Sequence, residues 1–435
     1  EGTMQQGSWM NKVVSMDDAL GRIMSRDTVV VGMAAAQPQG FLSSLHGIRD
    51  RVHDVKVVSC LLLKDYPFLA DVGAGADAKF RMESWYFGGP ERELYKKGLV
   101  SFIPNNLHNA GREKIQAEHI NVFVGTATPP DSHGFMSLSL CLVYEKEMVE
   151  SADLVVLEIN ENLPRTFGDT QVHVDDVDLL VRNNASLLTV PAIEATEVEQ
   201  RIGENIAELI DDGATLQIGI GGIPNAIMKF LSGKKHLGIH TEMITDGIVD
   251  LVEAGIIDNT QKTLHKGKIV GAFAMGGQRL YEFVDQNVSV EILRGAYVND
   301  PYVVAQNDRM VSINTSLQVD LTGQVCSESI GYRHYTGTGG QLDMHRGATL
   351  SRGGKGIVAL RSSVKEDEIS TIVPMLSPGS FVSIPRQDTD YVVTEFGAAH
   401  LKGKSVRERA LSLVAIAHPK FRERLAFEAK QIGVL

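Results

Sequence analysis

Paired cysteines and long apolar runs are missing from this sequence, and each absence excludes a class of protein. Three of the 435 residues are cysteine, far apart in the chain and without a C-x-x-C spacing. Such a set argues against a disulfide framework and a zinc ribbon, and Cys60 and Cys141 lie in apolar runs that predict buried thiols. No apolar run approaches the about 18 residues that span a membrane, and the first residues contain no hydrophobic signal region. We therefore expect a cytoplasmic protein without membrane contact.

Positive charge and metal-ligand spacings are also scarce. The chain has 42 Lys and Arg against 54 Asp and Glu, which gives a formal net charge of −12. Proteins that bind nucleic acid usually present a basic face, so we expect no nucleic-acid partner. The 13 histidines show no H-E-x-x-H or related spacing, and we predict no metal site. An anionic ligand would have to be met locally by backbone amides and a few cations.

What the sequence does contain is the pattern of an α/β protein. Hydrophobic residues make up 43% and charged residues 22% of the chain, which is ordinary for a globular protein. Short β-branched runs alternate with helical patterns, as a parallel sheet covered on both faces requires. The candidate strands are residues 28–33, 55–63, 120–128, 154–160, 215–220, 237–243, 268–275 and 288–293.

An internal similarity divides the chain. Residues 17–45 and 203–231 share one order of features, which is a helix, a strand that starts at a threonine, a small-residue turn and a second helix. The two segments align without a gap. We interpret them as a duplicated α/β unit, with a boundary near residues 187–200. The predicted domains are residues 10–187 and residues 188–435.

The most informative motif is GIGGIPNAI, residues 219–227, a glycine turn that links a predicted strand to a predicted helix. Glycines let the backbone approach a ligand closely and leave amides free to donate. Glu242 follows 21 residues after Gly221. The strands before the turn and before Glu242 are expected to be adjacent and parallel, so both features would emerge at one edge of the sheet.

Three functions are compatible with this arrangement. An NAD-dependent oxidoreductase would use Gly219 and Gly221 for the pyrophosphate and Glu242 for the ribose, but Pro224 replaces the third glycine of that fingerprint. Alternatively, Glu242 attacks an acyl group while the turn amides stabilise the oxyanion. An ionised carboxylate needs no general base, and the sequence shows no G-x-S-x-G elbow. A nucleotide- or coenzyme A-binding sensor is the third, non-catalytic possibility.

A second glycine loop favours acyl chemistry. It is GTGGQ, residues 337–341, which a simple dinucleotide fold does not predict. Two glycine loops and one glutamate suit a thioester site. One loop would lie along the pantetheine arm of coenzyme A (CoA), and the other would face the acyl oxygen.

Five stretches together resemble the acetyl-CoA hydrolase/transferase family, and most closely its 4-hydroxybutyrate CoA-transferase and butyryl-CoA:acetate CoA-transferase branch. They are GIGGIPNAI, HTEMITDGIVDLVEAG, INTSLQVDLTGQV, YTGTGGQLDMHRGA and TEFGAAHLKGKSVRERALSLVAIAHPKFRERL. The resemblance runs from about residue 10 to the C-terminus and is looser in the N-terminal half. It implies two similar open, mostly parallel α/β domains with the active site between them, usually in a homodimer.

The resemblance also implies residue roles. Glu242 matches the glutamate that forms a glutamyl-CoA thioester, and the Gly340 amide matches part of the oxyanion hole. The positions that match CoA-binding residues are Gly219, Ile220, Gly221, Gly222, Ile223, Leu317 and Gly340. The implied reaction is ping-pong transfer of CoA between a short-chain acyl-CoA and a carboxylic acid, with 4-hydroxybutyrate or butyrate and acetate foremost. A hydrolase of the same family is the alternative, and neither needs a tightly bound cofactor.

Several neighbouring side chains have open roles. Glu328 is a rival glutamate, for which a surface or capping position is expected. His334 and His345 flank the second glycine loop and are expected to be hydrogen-bonded structural histidines. Asn314 could orient Glu242 or bind pantetheine, and Lys355 could reach a CoA phosphate or be exposed.

Overall fold

The computed structural model describes residues 8–435, and the chain forms two compact units. The first unit extends to Val190 and takes in Ala272–Ala296, and the second comprises Pro191–Gly271 and Tyr297–Leu435. The stretch Ala272–Ala296, which lies in the predicted C-terminal domain, thus groups with the first unit. The predicted α/β class with largely parallel sheets is confirmed.

The first unit is built on a seven-stranded sheet in which all strands are parallel. Every residue of the central strand Thr28–Val31 is buried, as expected for a sheet with both faces covered. From edge to edge the strands are Leu179–Arg182, Leu154–Ile159, Val122–Ala127, Thr28–Val31, Val55–Ser59, Phe80–Ser84 and Val100–Phe102.

The second unit has a sheet of the same kind. Its strands are parallel except for the edge strand Gly397–His400, which pairs antiparallel with its neighbour. In spatial order they are Gly397–His400, Tyr391–Thr394, Lys355–Ala359, Met310–Thr315, Thr215–Ile218 and Gly238–Ile244. Each of the eight predicted strand runs overlaps a strand of the structure.

Helices connect the strands in both units. In the first unit they are Met16–Leu20, Gln39–Ser44, Gly89–Lys96, Ala110–Ala117, Glu145–Ser151 and Gln278–Val284. In the second unit they are Glu197–Ala207, Gly222–Phe230, Asp246–Glu253, Pro301–Val304, Gln341–Leu350, Val406–Ile416 and Arg422–Gln431. The strand Ile269–Ala274 and the helix Gly295–Val298 contain the points where the chain passes from one unit to the other.

Short strand pairs complete the two units. In the first unit Phe135–Ser137 pairs with Gln171–His173, and Phe167–Gly168 pairs with Val290–Ile292. In the second unit they are Gln318–Asp320 with Val325–Cys326 and Ile372–Val373, Ser329–Ile330 with Arg333–His334, and Ser363–Val364 with Ile369–Ser370.

The two sheets share a chain order that explains the internal similarity. After Thr28–Val31 the chain adds strands on one side of that strand, and from Val122–Ala127 onward it adds them on the other. Thr215–Ile218 and Met310–Thr315 flank the same kind of switch point in the second unit. Open α/β sheets bind ligands at the carboxyl ends of the strands beside such a point. This position therefore marks the edge where a functional site is expected.

The helix that begins the second unit forms for local reasons. Thr196 is its N-cap, and its side chain accepts a hydrogen bond from the Glu199 amide while the Glu199 carboxylate accepts one from the Thr196 amide. Such a capping box satisfies two amides that the first turn leaves unpaired. The buried residues Ile202 and Ile206 then face the core.

The three cysteines are all buried and none forms a disulfide, so the predicted buried thiols at Cys60 and Cys141 are confirmed. In residues 8–435 no helix has the length and apolar character needed to cross a bilayer. Within the same residues no three His, Cys, Asp or Glu side chains are grouped in a way that could ligate a metal ion.

Candidate active site

Strand register brings the glycine turn and Glu242 to the same edge of the sheet. Thr215–Ile218 and Gly238–Ile244 are adjacent and parallel, with Thr215 opposite Gly238. Continuing this register by four residues puts Glu242 level with Gly219. The predicted adjacency of the two motifs is therefore confirmed, and its cause is the pairing of two neighbouring strands.

Two amide groups bind the Glu242 carboxylate. The Asn299 side chain donates from Nδ2 to Oε2 across 3.0 Å, and the Gly340 backbone amide donates to the same carboxylate. Asn299 is fully buried, whereas Glu242 is half-buried. The carboxylate is thus fixed in orientation, while part of the Glu242 residue stays accessible to solvent.

The approach of Gly340 to Glu242 requires a glycine. A Cβ atom at position 340 would collide with both Glu242 Oε2 and Asn299 Nδ2. Gly340 is also the N-cap of the helix Gln341–Leu350. The second glycine loop therefore ends where its backbone touches the glutamate, which gives a steric reason for glycine at this place in the GTGGQ motif.

Burial raises the pKa of Glu242 to about 7, and the negative charge of nearby Asp343 acts in the same direction. The hydrogen bonds from Asn299 and Gly340 oppose this shift because they favour the ionised carboxylate. Near neutral pH the side chain is consequently divided between its acid form and its carboxylate form. Only the carboxylate is a nucleophile.

The glycine turn begins the helix Gly222–Phe230, with Gly221 as N-cap at a φ of 124°. A backbone at that φ favours glycine. The first amides of a helix have no partner within the helix, so Gly222 and Ile223 supply donors at this end, while Pro224 has no N–H to leave unpaired. Ile220 is exposed and Ile223 is buried.

Glu199 makes this turn a poor site for phosphate. Its carboxylate lies against Gly222, where a Cβ would collide with it. A pyrophosphate at the turn would meet this charge, and like charges placed together cost several kcal/mol. The turn suits a neutral ligand segment, such as the pantetheine arm of CoA, better than the pyrophosphate of a dinucleotide.

Leu317 and Asn314 lie on the other side of the switch point. Leu317 follows the strand Met310–Thr315, is 37% exposed, and donates its amide to the Cys326 carbonyl. The Asn314 side chain exchanges hydrogen bonds with Gln217, in one direction at 2.9 Å and in the other at 3.1 Å. Asn314 thus supports the strand below the glycine turn, and Asn299 is the asparagine that contacts Glu242.

Lys355 lies at the opposite edge of the sheet. It is the first residue of the strand Lys355–Ala359, whereas Glu242 and the glycine turn lie near or after the carboxyl ends of their strands. Its Nζ donates to the Leu209 carbonyl across 2.7 Å and contacts Asp211 at 3.4 Å. Of the two open roles of Lys355, contact with a CoA phosphate is not supported by this position.

The rival glutamate and the two histidines have structural partners. Glu328 is only 9% exposed, which differs from the expected surface position, and it accepts a hydrogen bond from Ser383 across 2.6 Å. Burial raises the pKa of Glu328. His334 bonds to the Thr336 carbonyl at 2.9 Å, and buried His345 accepts from the Asp390 amide at 3.1 Å. The latter contacts match the structural role expected of both histidines.

Comparison with known proteins identifies the family of this chain. Residues 2–194 match the model of the acetyl-CoA hydrolase/transferase N-terminal domain, and residues 276–429 match that of the C-terminal domain. A 4-hydroxybutyrate coenzyme A transferase from Clostridium kluyveri is 43% identical, over 97% of this chain and 98% of its own. The chain belongs to the acetyl-CoA hydrolase/transferase family. The family resemblance and the prediction of an acyl-CoA:carboxylate CoA-transferase are confirmed.

Other members of the family are similar over the same length. A succinyl-CoA:cyclohexane-1-carboxylate CoA transferase from Geobacter metallireducens is 40% identical, over 98% of this chain and 96% of its own. The crystal structure of RipA from Yersinia pestis superposes with a TM-score of 0.90 at 35% identity, covering 98% of this chain and 99% of RipA. Glu242 lies between the two matched family segments, so its role depends on the geometry described above.

Asn299 is the functional candidate that the sequence did not reveal. It lies in YVNDP, 57 residues after Glu242 and outside every motif that carries the resemblance. Its neighbour Asp300 is the N-cap of the helix Pro301–Val304, so the local pattern indicates only a helix start. Its contact with Glu242 depends on tertiary structure.

We expect Gly340→Ala to lower CoA transfer by about 10²-fold, because the new methyl group would displace the Glu242 carboxylate or Asn299 and misplacement by about 1 Å has effects of that size. Steady-state rates with an acyl-CoA and a carboxylate would measure the loss, and circular dichroism would check folding. Gly233→Ala is the matched control, since a Cβ there meets no atom within 4 Å. Normal transfer by Gly340→Ala would contradict the close contact.

Proposed function

We propose that this enzyme transfers CoA between a short-chain acyl-CoA and a carboxylic acid through a glutamyl-CoA thioester on Glu242. The observation that carries the proposal is a half-buried carboxylate, at the ligand-binding edge of a parallel sheet, that two amide groups orient. Nucleophilic catalysis by a carboxylate requires such a fixed and partly desolvated group.

In the first half-reaction the Glu242 carboxylate attacks the carbonyl carbon of the acyl-CoA. The carbon–sulfur bond breaks, which gives an acyl-glutamyl anhydride and CoA thiolate. The thiolate then attacks the Glu242 carbonyl carbon, and the bond from that carbon to the bridging oxygen breaks. The acyl group leaves as a carboxylate, and CoA is held as a thioester on Glu242. A second carboxylate reverses these steps, so no proton is gained or lost overall.

The hydrogen bonds to Glu242 assign different roles to its two oxygens. Asn299 donates to Oε2, so the less engaged Oε1 is the oxygen that attacks the acyl carbon and becomes the bridging atom. When thiolate attacks the glutamyl carbonyl, negative charge develops on Oε2, where the Asn299 donor is in place and the Gly340 amide lies close by. Each such donor contributes on the order of 2.7–4 kcal/mol in other acyl-transfer sites.

The CoA substrate would lie along the glycine turn and Leu317. We propose that Gly219–Ile223 contact the pantetheine arm. The turn offers free amides to this uncharged segment, whereas the negative charge of Glu199 disfavours a phosphate there. Binding energy from these remote contacts would be used at the reacting carbon, since the anhydride is uphill from the thioester. The homodimer implied by the resemblance stays a prediction.

For the acyl group, we propose 4-hydroxybutyrate or butyrate, exchanged with acetate or acetyl-CoA. The similar enzyme from Clostridium kluyveri is named for 4-hydroxybutyrate, whereas the relative from Geobacter metallireducens is named for succinyl-CoA and cyclohexane-1-carboxylate. Hydrolysis of the glutamyl thioester by water is the alternative within the same family. The glutamate chemistry is the same in both cases.

Glu242→Ala should reduce CoA transfer to background, because no other group supplies the nucleophile. Glu242→Asp retracts the carboxylate by one methylene and should cost about 10²-fold. Wild-type protein incubated with acyl-CoA should gain the mass of CoA less one water on the Glu242 peptide and lose activity on treatment with borohydride. Glu328→Gln, which alters another buried glutamate, is the control expected to keep both properties. Transfer by Glu242→Ala near the wild-type rate would rule out the mechanism.

The kcat/KM for acyl-CoA should fall about tenfold per pH unit below about 7, because the raised pKa of Glu242 leaves less carboxylate as the pH drops. In Asn299→Ala this acidic limb should move to higher pH, since the variant lacks a hydrogen bond that favours ionisation. Rate profiles between pH 5 and pH 9 would measure both values. An acidic limb with a pKa near the ordinary glutamate value of about 4.3 would show that the Glu242 carboxylate is not desolvated in the working enzyme.

Release of acid in the absence of a second carboxylate separates transfer from hydrolysis. A transferase should release about one equivalent of acid per active site and then stop, because CoA stays on Glu242. Addition of acetate should restart the reaction and produce acetyl-CoA. Continuous release of acid from acyl-CoA alone would identify a hydrolase.

A further inference from the structure

His240 shares its strand and its side of the sheet with Glu242. The two residues are separated by one position in Gly238–Ile244, and side chains two apart in a strand lie on the same face. His240 is fully buried. The glutamate mechanism uses no histidine, so the presence of a polar ring directly below the reacting carboxylate requires an explanation.

The imidazole is bonded to the segment that supplies Asn299. His240 Nε2 lies 2.7 Å from the carbonyl oxygen of Val298. Because a carbonyl oxygen only accepts, Nε2 carries the proton and donates it. The next residue along the chain, Asn299, donates to Glu242. Two hydrogen bonds therefore connect residues 240 and 242 of one strand with the consecutive residues 298 and 299.

We propose that His240 is a positioning residue for the reaction, which fixes the Val298 carbonyl so that the Asn299 amide stays aimed at Glu242 Oε2. This inference rests on the proposed role of Glu242 and extends it by one residue that touches neither substrate nor the reacting atoms. The four residues form a closed loop of two covalent segments and two hydrogen bonds. Rotation of either side chain would break the loop.

The surroundings of the ring fit a neutral imidazole that donates one hydrogen bond, from Nε2. Among the described residues the other ring nitrogen, Nδ1, has no hydrogen-bond partner. Lys262 donates its ammonium to the neighbouring Ile239 carbonyl across 2.8 Å, and His265 also lies near the ring. Burial, together with these two groups, lowers the pKa of His240 to about 3. The ring therefore remains neutral and keeps one proton, on Nε2, through the working pH range.

The unpartnered Nδ1 indicates that histidine is present because of the length of its side chain, since a buried acceptor without a donor is unfavourable. The amide of an asparagine would extend only as far as the Nδ1 position. Nε2 is farther from the backbone, and its distance to Val298 is what closes the loop.

Two amide substitutions test this geometry. In His240→Gln the amide nitrogen can reach the Nε2 position, so kcat should fall by less than about threefold. In His240→Asn the amide is too short, and kcat should fall about 10- to 10²-fold with little change in KM for acyl-CoA. Rates would be normalised to the fraction of chains that trap CoA covalently, so a loss of folded protein does not count. An unchanged kcat per trapped site in His240→Asn would overturn the proposal.

A double-mutant cycle tests whether His240 acts through Asn299. In the Asn299→Ala background, His240→Asn should have almost no further effect on kcat, because the group that it positions is already absent. If His240→Asn lowers kcat by the same factor in both backgrounds, the two residues are independent and the proposal fails. Each factor is measured within one background, so the comparison does not require that His240→Asn be as stable as the wild type.

His345→Asn is the matched control. His345 is also a fully buried neutral histidine with a backbone partner at Nε2, but that partner is the Asp390 amide. The substitution should lower the thermal unfolding temperature without altering kcat per trapped site. If the wild type traps no CoA at all, the proposed function of Glu242 fails instead, which separates the two conclusions.

Discussion

A carboxylate that is partly removed from water must be compensated by hydrogen bonds, and this requirement organises the second unit around Glu242. The two donors come from different parts of the chain. Asn299 lies just before the helix Pro301–Val304, and Gly340 is the N-cap of the helix Gln341–Leu350. Both donors keep enough ionised carboxylate available near neutral pH, although burial and Asp343 favour the acid form. A glutamate in open solvent would be ionised but hydrated and free to rotate. In this site a smaller fraction of Glu242 is ionised near neutral pH, but the carboxylate has a fixed orientation.

The strands and the local motifs could be predicted because each depends on a short run of consecutive residues. The apolar run before Gly219 and the run that contains Glu242 are both strands, and parallel register places them side by side. The strand Met310–Thr315 was not predicted, because it contains Ser312 and Asn314. These polar residues are tolerated because Gln217 of the adjacent strand bonds to both side chains. A partner across a strand is not visible in a linear pattern.

Asn299 and Glu328 show the same limit at the level of the site. Asn299 has a typical helix-start sequence around it, and only the tertiary fold brings its amide to Glu242. Glu328 follows a polar turn that suggests an exposed position. It is nevertheless buried, and it accepts a hydrogen bond from Ser383, a buried residue of a distant segment. Polar residues of this kind are positioned by single long-range hydrogen bonds. Motif spacing therefore located the proposed nucleophile but not the side chain that donates a hydrogen bond to it.

The two units show how little of the chemistry comes from the fold itself. In the first sheet Thr28 lies opposite Lys56, and in the second Thr215 lies opposite Gly238. Four residues farther along each pair, the position of Glu242 corresponds to Cys60, which is buried. Both sheets thus offer an edge at a switch point, and at this register position the second has a carboxylate where the first has a thiol. Because function depends on such residues rather than on topology, the shared chain order explains the architecture of the chain, whereas the proposed reaction rests on Glu242 with its donors.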